Sequence, residues 1–291
     1  MTAAGILFAD KPVGPTSHDL VQRVRRLAHT RRVGHAGTLD PGASGLMILG
    51  IGPATRLLTH LVGLDKTYTA TIRLGLATTT DDAAGAPLGE VAPVDDAVLE
   101  RVPAAMAALT GPILQVPSSV SALHVDGKRA HERVRAGEEV VLPPRPVTVS
   151  RFELLAHPGD ELDVVVDCSS GTYVRALARD LGAALGVGGH LSALRRTRIG
   201  PFRIEDAGPI EEPLDVREPA AVAAALFPTL VLDAAGAAAL QQGKRLAVPD
   251  VADAAAVAAL DPDGVLVGLA RVHGEVATVL MNLPTADGAG S

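Results

Sequence analysis

Between Gly34 and Gly45 the sequence reads GHAGTLDPGASG, with four glycines, one proline and a single carboxylate, Asp40. Glycines permit positive φ and close backbone approach. Pro41 stiffens the exit from the loop and disfavours helical backbone at Asp40. Such a loop can hold an acid at a fixed angle toward a bulky ligand. The stretch is not GxxxxGK[ST], and it lacks the lysine that a phosphate-binding loop needs. It is not GxGxxG, and no second acid stands nearby to complete a glycosidase pair. From these twelve residues alone, a tight structural turn and a ligand-facing acid are equally open.

The tyrosines narrow the search. The 291 residues contain no Trp, four Phe and two Tyr, and 47% are hydrophobic, so the core is built on Ala, Val and Leu. Such a core has little use for tyrosine. Tyr68 lies in KTYTATIRLG and Tyr173 in GTYVRALARDLG, both polar contexts. Each is a candidate for work by its hydroxyl or ring face. The one cysteine, Cys168, excludes an internal disulfide framework and a Cys-based zinc site. His18, His60 and His190 lack metal-ligand spacing, so no metal is expected.

The elements that must carry these residues can be read from periodicity. ILFADKP (6–12) is a strand closed by Lys-Pro. GPTSHDLVQRVRRLAH (14–29) is a helix that Thr16 or Ser17 can cap, with Asp19 in its first turn. Leu20, Val21, Val24, Leu27 and Ala28 recur on one face, and Arg23, Arg25 and Arg26 lie off it. LMILGIG (46–52) is a buried strand, and ATRLLTHLVG (54–63) is helical. KTYTATIRLG (66–75) alternates like a strand. DDAVLERVPAAMAALTG (95–111) is helical. Residues 115–147 form a basic, hairpin-like and partly helical excursion. Residues 171–186 are a helix opened by glycine. Residues 190–204 are an apolar-basic segment ending in a strand. EDAGPIEEPLDVREP (205–219) reads as a linker. The tail from about 225 alternates strand-like runs with Ala-rich stretches of low information.

Net charge is −7, but it is unevenly distributed. Residues 1–80 carry nine Lys/Arg against four Asp/Glu, and residues 171–205 carry six against two. Residues 81–170 and 206–291 each come to −8. The two basic blocks hold the motifs, so a phosphate-rich partner could dock there with acidic regions facing away. No apolar run is long enough to span a membrane. The start, MTAAGILFADKP, is not a secretory signal. These features point to a cytoplasmic protein with no membrane association.

Taken in order, DKPVGPTSHDLV, GHAGTLDPGASGLM, KTYTATIRLG, TTDDAAG, SALHVDGKRAHERVRAG, CSSGTYVRALARDLG and LSALRRTRIGPF resemble the TruB family of tRNA pseudouridine-55 synthases. The resemblance covers about residues 5–205. It implies an isomerase that turns a uridine in the TΨC loop of tRNA into pseudouridine, with no metal and no cofactor. It assigns the catalytic aspartate to Asp40. That carboxylate meets the sugar C1′ or the base C6, or first removes a C2′ proton; all three remain open here. Tyr68 matches the tyrosine that packs on the target base and is a proposed proton acceptor. Arg175 matches the arginine that pairs with the aspartate and keeps it ionised. Tyr173 matches a substrate contact, and Leu194 an apolar wall of the uracil pocket. His35 matches the histidine that fills the stack when the base is flipped out.

Lys128, Arg129, Arg133 and Arg135 resemble the family's RNA-gripping insertion. Val120 and His124 stand where many relatives have an aromatic and a lysine. Because TTDDAAG departs slightly from the usual acidic run, Asp82 is given no catalytic role. Lys11 and Pro12 are read as architectural.

The expected fold is α+β: a pseudouridine-synthase domain over residues 1–210 with a central mixed, largely antiparallel sheet and flanking helices. The RNA-gripping insertion falls at about 115–147. A small C-terminal β-rich PUA-like domain is expected over 225–291. The TΨC stem-loop of tRNA is the expected partner. No protein partner is evident, and a monomer is the default. Two other functions fit parts of the pattern: a tRNA-binding folding chaperone, alone or beside catalysis, and a synthase acting on another RNA.

Overall fold

The computed structural model describes residues 4–118, 124–125, 128–129 and 142–284. The chain forms two compact units, one of residues 1–40, 46–62 and 201–291, the other of residues 41–45 and 63–200. In the first unit, β1 (Gly5–Lys11) precedes α1 (Ser17–Leu27), then β2 (Val33–His35) and β3 (Ala43–Ile51). Helix α1 begins at the expected place, and Thr16 is its cap. The Thr16 hydroxyl accepts from the Asp19 amide, and the Asp19 carboxylate accepts from the Thr16 amide at 2.8 Å. Leu20, Val21, Val24 and Ala28 bury against Leu7, Ala9, Met47, Leu49 and Ile51, so the predicted apolar face is the packed one. Arg23 and Arg26 remain exposed on the other face. The end of β3, from Leu46 to Ile51, is buried throughout, as its unbroken apolar run requires. The helical reading of residues 54–63 resolves into a 3-10 turn, Gly52–Leu57, followed by a short helix, Leu58–Val62.

The second unit is a sheet with helices. Its strands are β4 (Lys66–Leu74), β5 (Gly111–Gln115), β6 (Arg145–Ala156), β7 (Glu161–Cys168) and β8 (Gly189–Ile199), with α2 (Val174–Leu185) before β8. The order is β3-β8-β4-β7-β6-β5, with the first residues of β3 at one side. The pairing of β3 with β8 is parallel and every other pairing is antiparallel. The sheet is therefore mixed and largely antiparallel, as expected. In β4 buried and less buried residues alternate along KTYTATIRL. Helix α2 lies close to the start of β8: a Cβ on Gly182 would stand 2.2 Å from the Gly189 amide nitrogen.

Two sequence readings change. Residues 95–111 form two short helices, Asp96–Leu99 and Val102–Ala108, because Pro103 falls in the first turn of the second. The segment expected to become a strand near residue 204 is already strand from Gly189, since β4 supplies a partner along its whole length. Of the basic excursion, His124–Val125 pairs with Lys128–Arg129, a hairpin as expected. Val120, Arg133 and Arg135 lie outside the described residues.

Past β8, β9 (Val216–Arg217) pairs with β1. A separate five-stranded sheet then follows. It comprises β10 (Thr229–Val231), β11 (Leu246–Ala247), β12 (Ala254–Leu260), β13 (Leu266–His273) and β14 (Val276–Asn282), ordered β10-β12-β13-β14-β11, with α3 (Ala234–Gln241) after β10. The Ala-rich stretch AAAVAAL is strand β12, with Val257, Ala258 and Ala259 buried between two neighbours. Tertiary pairing overrides the weak strand preference of alanine there.

Gly45, the last glycine of the opening loop, has φ of +108°, and a Cβ on it would stand 2.2 Å from the Arg196 carbonyl oxygen. Gly45 and Arg196 are register partners in β3 and β8. Gly45→Ala is therefore expected to cost about 2 kcal/mol or more from backbone strain and overlap. Urea unfolding measures this, and an unchanged midpoint would contradict the register.

Candidate active site

The loop 34–45 is held at Ala36 and at Leu39. His35 ends β2 opposite Leu49 of β3, and the Ala36 amide donates to the Ile48 carbonyl at 2.9 Å. Gly37 takes φ of +106°. The Leu39 amide donates to Ser17 Oγ at 2.9 Å, and Ser17 Oγ donates to the Leu39 carbonyl, also at 2.9 Å. Asp40 follows directly, half-buried, and Pro41 then fixes φ. Asp40 and His35 belong to the first unit. Tyr68, Tyr173, Arg175 and Leu194 belong to the second.

Within the second unit, strand register brings several of these together. Tyr68 of β4 pairs with Arg196 of β8 on one side and Val166 of β7 on the other. Ala70 pairs with Leu194. Side chains alternate along a strand, so Tyr68, Leu194 and Arg196 share one face of the sheet. Tyr68 is 7% exposed, Arg196 is fully buried and Leu194 is half-buried. Lys66, which starts β4, and its register partner Cys168, which ends β7, lie on the same face. Burial, and then the charge of Arg196, pull the Lys66 ammonium down to about 8. Burial pushes the Cys168 thiol up to about 11.

Helix α2 carries the arginine. Arg175, 6% exposed, sits in its first turn. Its Nη1 donates to the Thr80 carbonyl at 3.0 Å and to Ser118 Oγ at 3.2 Å, and lies 3.6 Å from Asp82 Oδ2. The other carboxylate oxygen of Asp82 accepts from Thr80 Oγ1 at 2.5 Å and from the Ala84 amide at 3.0 Å. Asp82 is thus aimed at Arg175 by its own loop. Sequence alone assigns Asp82 no catalytic role and singles out neither Ser118 nor Gln115. Their signal was present in the TTDD run and in QVPSS, yet only folding shows that these loops meet α2.

Beside this pair, Asp81 is bridged by Arg179 at 3.1 Å. Burial raises the Asp81 pKa despite that arginine. Tyr173 occupies the cap position of α2, where Ser, Thr, Asp or Asn would be usual. Its amide donates to Gln115 Oε1 at 2.8 Å, and its carbonyl accepts from Gln115 Nε2 at 3.1 Å. Lys128 and Arg129 lie in a two-residue strand of the basic excursion. Among the described residues no group of three or more His, Cys, Asp and Glu side chains is arranged to hold a metal ion.

This architecture matches solved structures along nearly its whole length. A structure of an H/ACA ribonucleoprotein bound to a substrate RNA containing 2′-deoxyuridine aligns with TM-score 0.72 at 24% identity, over 97% of this chain and 86% of that one. A Cbf5–Nop10–Gar1 complex aligns with TM-score 0.70 at 25% identity, over 97% and 84%. The fold is that of the pseudouridine synthases.

The model of the TruB family pseudouridylate synthase N-terminal domain matches residues 25–174, and that of the tRNA pseudouridylate synthase B C-terminal domain matches residues 175–218. A tRNA pseudouridine synthase B of Leifsonia xyli subsp. xyli is 54% identical over 295 residues, spanning 98% of both chains. One of Corynebacterium aurimucosum is 52% identical over 97% of both. The chain belongs to the TruB family of pseudouridylate synthases.

The shifted lysine gives a pH test. A lysine whose pKa is lowered on folding destabilises the fold at neutral pH, and stability is recovered as pH rises from about 8 toward the ordinary value of 10.5. Cys168, raised from 9.0 to about 11, acts in the opposite direction above pH 9. The stability of the wild type relative to Lys66→Met is therefore expected to rise from pH 7.5 to pH 10. Urea unfolding at several pH values reads this difference, and a flat difference would refute the burial effect.

Proposed function

We propose that this protein is a tRNA pseudouridine-55 synthase, an isomerase acting on a uridine of the TΨC stem-loop. The observation that carries the reading is full-length identity above one half to relatives named tRNA pseudouridine synthase B, with Asp40 held in the loop GHAGTLDPGASG. The reaction breaks the N1–C1′ bond of uridine and forms a C5–C1′ bond. C5 loses its proton and N1 gains one, so nothing is consumed. Asp40 is the catalytic carboxylate that attacks or stabilises charge while the base is detached. Arg175 is assigned a catalytic role beside Asp40's, and Asp82 Oδ2, 3.6 Å from its Nη1, helps orient its guanidinium.

Tyr68 lies against the base and accepts the proton from C5. Leu194 forms an apolar wall beside it, and Tyr173 contacts the substrate. The uridine is unstacked before reaction, and the ring of His35 fills the gap it leaves. Lys128, Arg129, Arg133 and Arg135 belong to the arm that grips the RNA. We assign residues 1–210 to the catalytic domain, with the arm at about 115–147, and residues 225–291 to a PUA-like domain. We read the protein as a cytoplasmic enzyme that needs no cofactor, with a monomer as the default. Among the described residues no helix is long and apolar enough to cross a membrane.

Asp40→Asn tests the chemistry. Pseudouridine formation in the TΨC loop of a tRNA transcript is expected to fall by at least about a thousandfold, the scale seen when a central catalytic group is lost, with RNA binding retained. Wild-type-like turnover would sink the assignment. The exposed arginines of α1 give a second test. RNA affinity is expected to fall steeply with salt, and Arg23→Ala with Arg26→Ala is expected to reduce the log–log slope by roughly 1.5 if each meets a phosphate. Filter binding between low and physiological salt measures it; an unchanged slope places the phosphate contacts elsewhere.

A further inference from the structure

Two buried polar side chains share an arrangement that the chemistry above does not use. Ser17, 3% exposed, engages both the amide and the carbonyl of Leu39. Gln115, 1% exposed, engages both the amide and the carbonyl of Tyr173. Leu39 is the residue before Asp40. Tyr173 stands two residues before Arg175. In each case one side chain fixes a whole peptide residue at or beside a proposed site residue, in a stretch where no regular ladder does so.

Neither side chain is needed for its own element. Thr16 already caps α1 through its capping box with Asp19, so the adjacent hydroxyl of Ser17 is left for the loop. Gln115 pairs in the β5–β6 ladder opposite Arg145, which leaves its amide side chain for Tyr173. Tyr173 has no side-chain cap bond of its own at the start of α2. An irregular loop and a helix start both carry orphan main-chain groups. A buried amide or carbonyl left unmatched is costly, so the two side chains hold these backbones in one conformation.

We propose that Ser17 and Gln115 are positioning residues, Ser17 for Asp40 and Gln115 for Tyr173 and Arg175. The proposal rests on the reading of those three as site residues. Ser17→Ala and Gln115→Ala each free a backbone that carries a proposed site residue. Displacements of about 1 Å at a reacting centre lower rates on the order of a hundredfold. Neither side chain is assigned a contact with RNA, so binding is spared.

The test measures kcat and KM on a tRNA transcript, with thermal melting, for both variants and for two controls. The controls are Val24→Ala in the core face of α1 and Met106→Ala in the helix Val102–Ala108, both buried apolar residues outside the site. Ser17→Ala and Gln115→Ala are expected to lose about tenfold to a hundredfold in kcat, with KM within about twofold. The controls are expected to lose melting temperature and keep kcat. Hydrogen exchange is expected to speed at the Leu39 amide in Ser17→Ala and at the Tyr173 amide in Gln115→Ala. Wild-type kcat in the two variants, or an equal loss in the controls at equal melting temperature, overturns the inference. A wild-type protein that makes no pseudouridine overturns the functional reading, and this inference with it.

Discussion

A carboxylate carried on irregular backbone points only as steadily as the peptide groups beside it are bonded. Asp40 has a glycine-rich approach before it and a proline after it, and no strand or helix of its own. The two hydrogen bonds between Ser17 and Leu39 replace that missing ladder on one side. The fixed φ of Pro41 acts on the other. Helix α1 therefore has two functions. Its apolar face fills the core around Met47 and Leu49, and its first turn anchors the acid-bearing loop. Adjacent hydroxyls, Thr16 and Ser17, divide this work between capping and clamping.

The second unit solves a related problem by register. A sheet places side chains in fixed alternation, so Tyr68, Leu194 and Arg196 share a face because β4 and β8 pair as they do. A slip of one residue in either strand would turn its members of the set to the opposite face. Gly45 shows how tightly this is specified, since the Arg196 backbone leaves no room for a Cβ there. The same face carries a buried lysine and arginine, and burial, then the arginine's charge, lowers Lys66 to about 8. The arginine of α2 is held differently, by two loops. Thr80, Asp82 and Ser118 come from separate parts of the sequence and converge on one guanidinium.

Local chemistry was legible wherever one element could satisfy itself. The apolar period of residues 20–28, the alternation of residues 66–74 and the unbroken run 46–51 each named their element and buried face. The reading was poorer where a partner decided the outcome. AAAVAAL looked uninformative and is a strand because two strands flank it. Residues 189–199 did not read as one strand, because their basic residues interrupt the alternation that β4 nevertheless pairs through. The helical stretch 95–111 was divided by a proline whose place in the first turn depends on where the second helix starts.

The sequence by itself determined the family pattern, the single acid in its glycine-rich loop, the tyrosines worth attention and the identity of the arginine at the start of α2. These are properties of residue type and spacing, which a linear pattern records in full. Tertiary structure decided who holds them. Ser17 reaches Leu39 across 22 positions, Gln115 reaches Tyr173 across 58, and Arg175 reaches Thr80 across 95. Such bonds join groups with no periodic relation in sequence, so they exist only once the core has brought their elements together. That is why Asp82 appeared idle in the chain and stands against Arg175 in the fold.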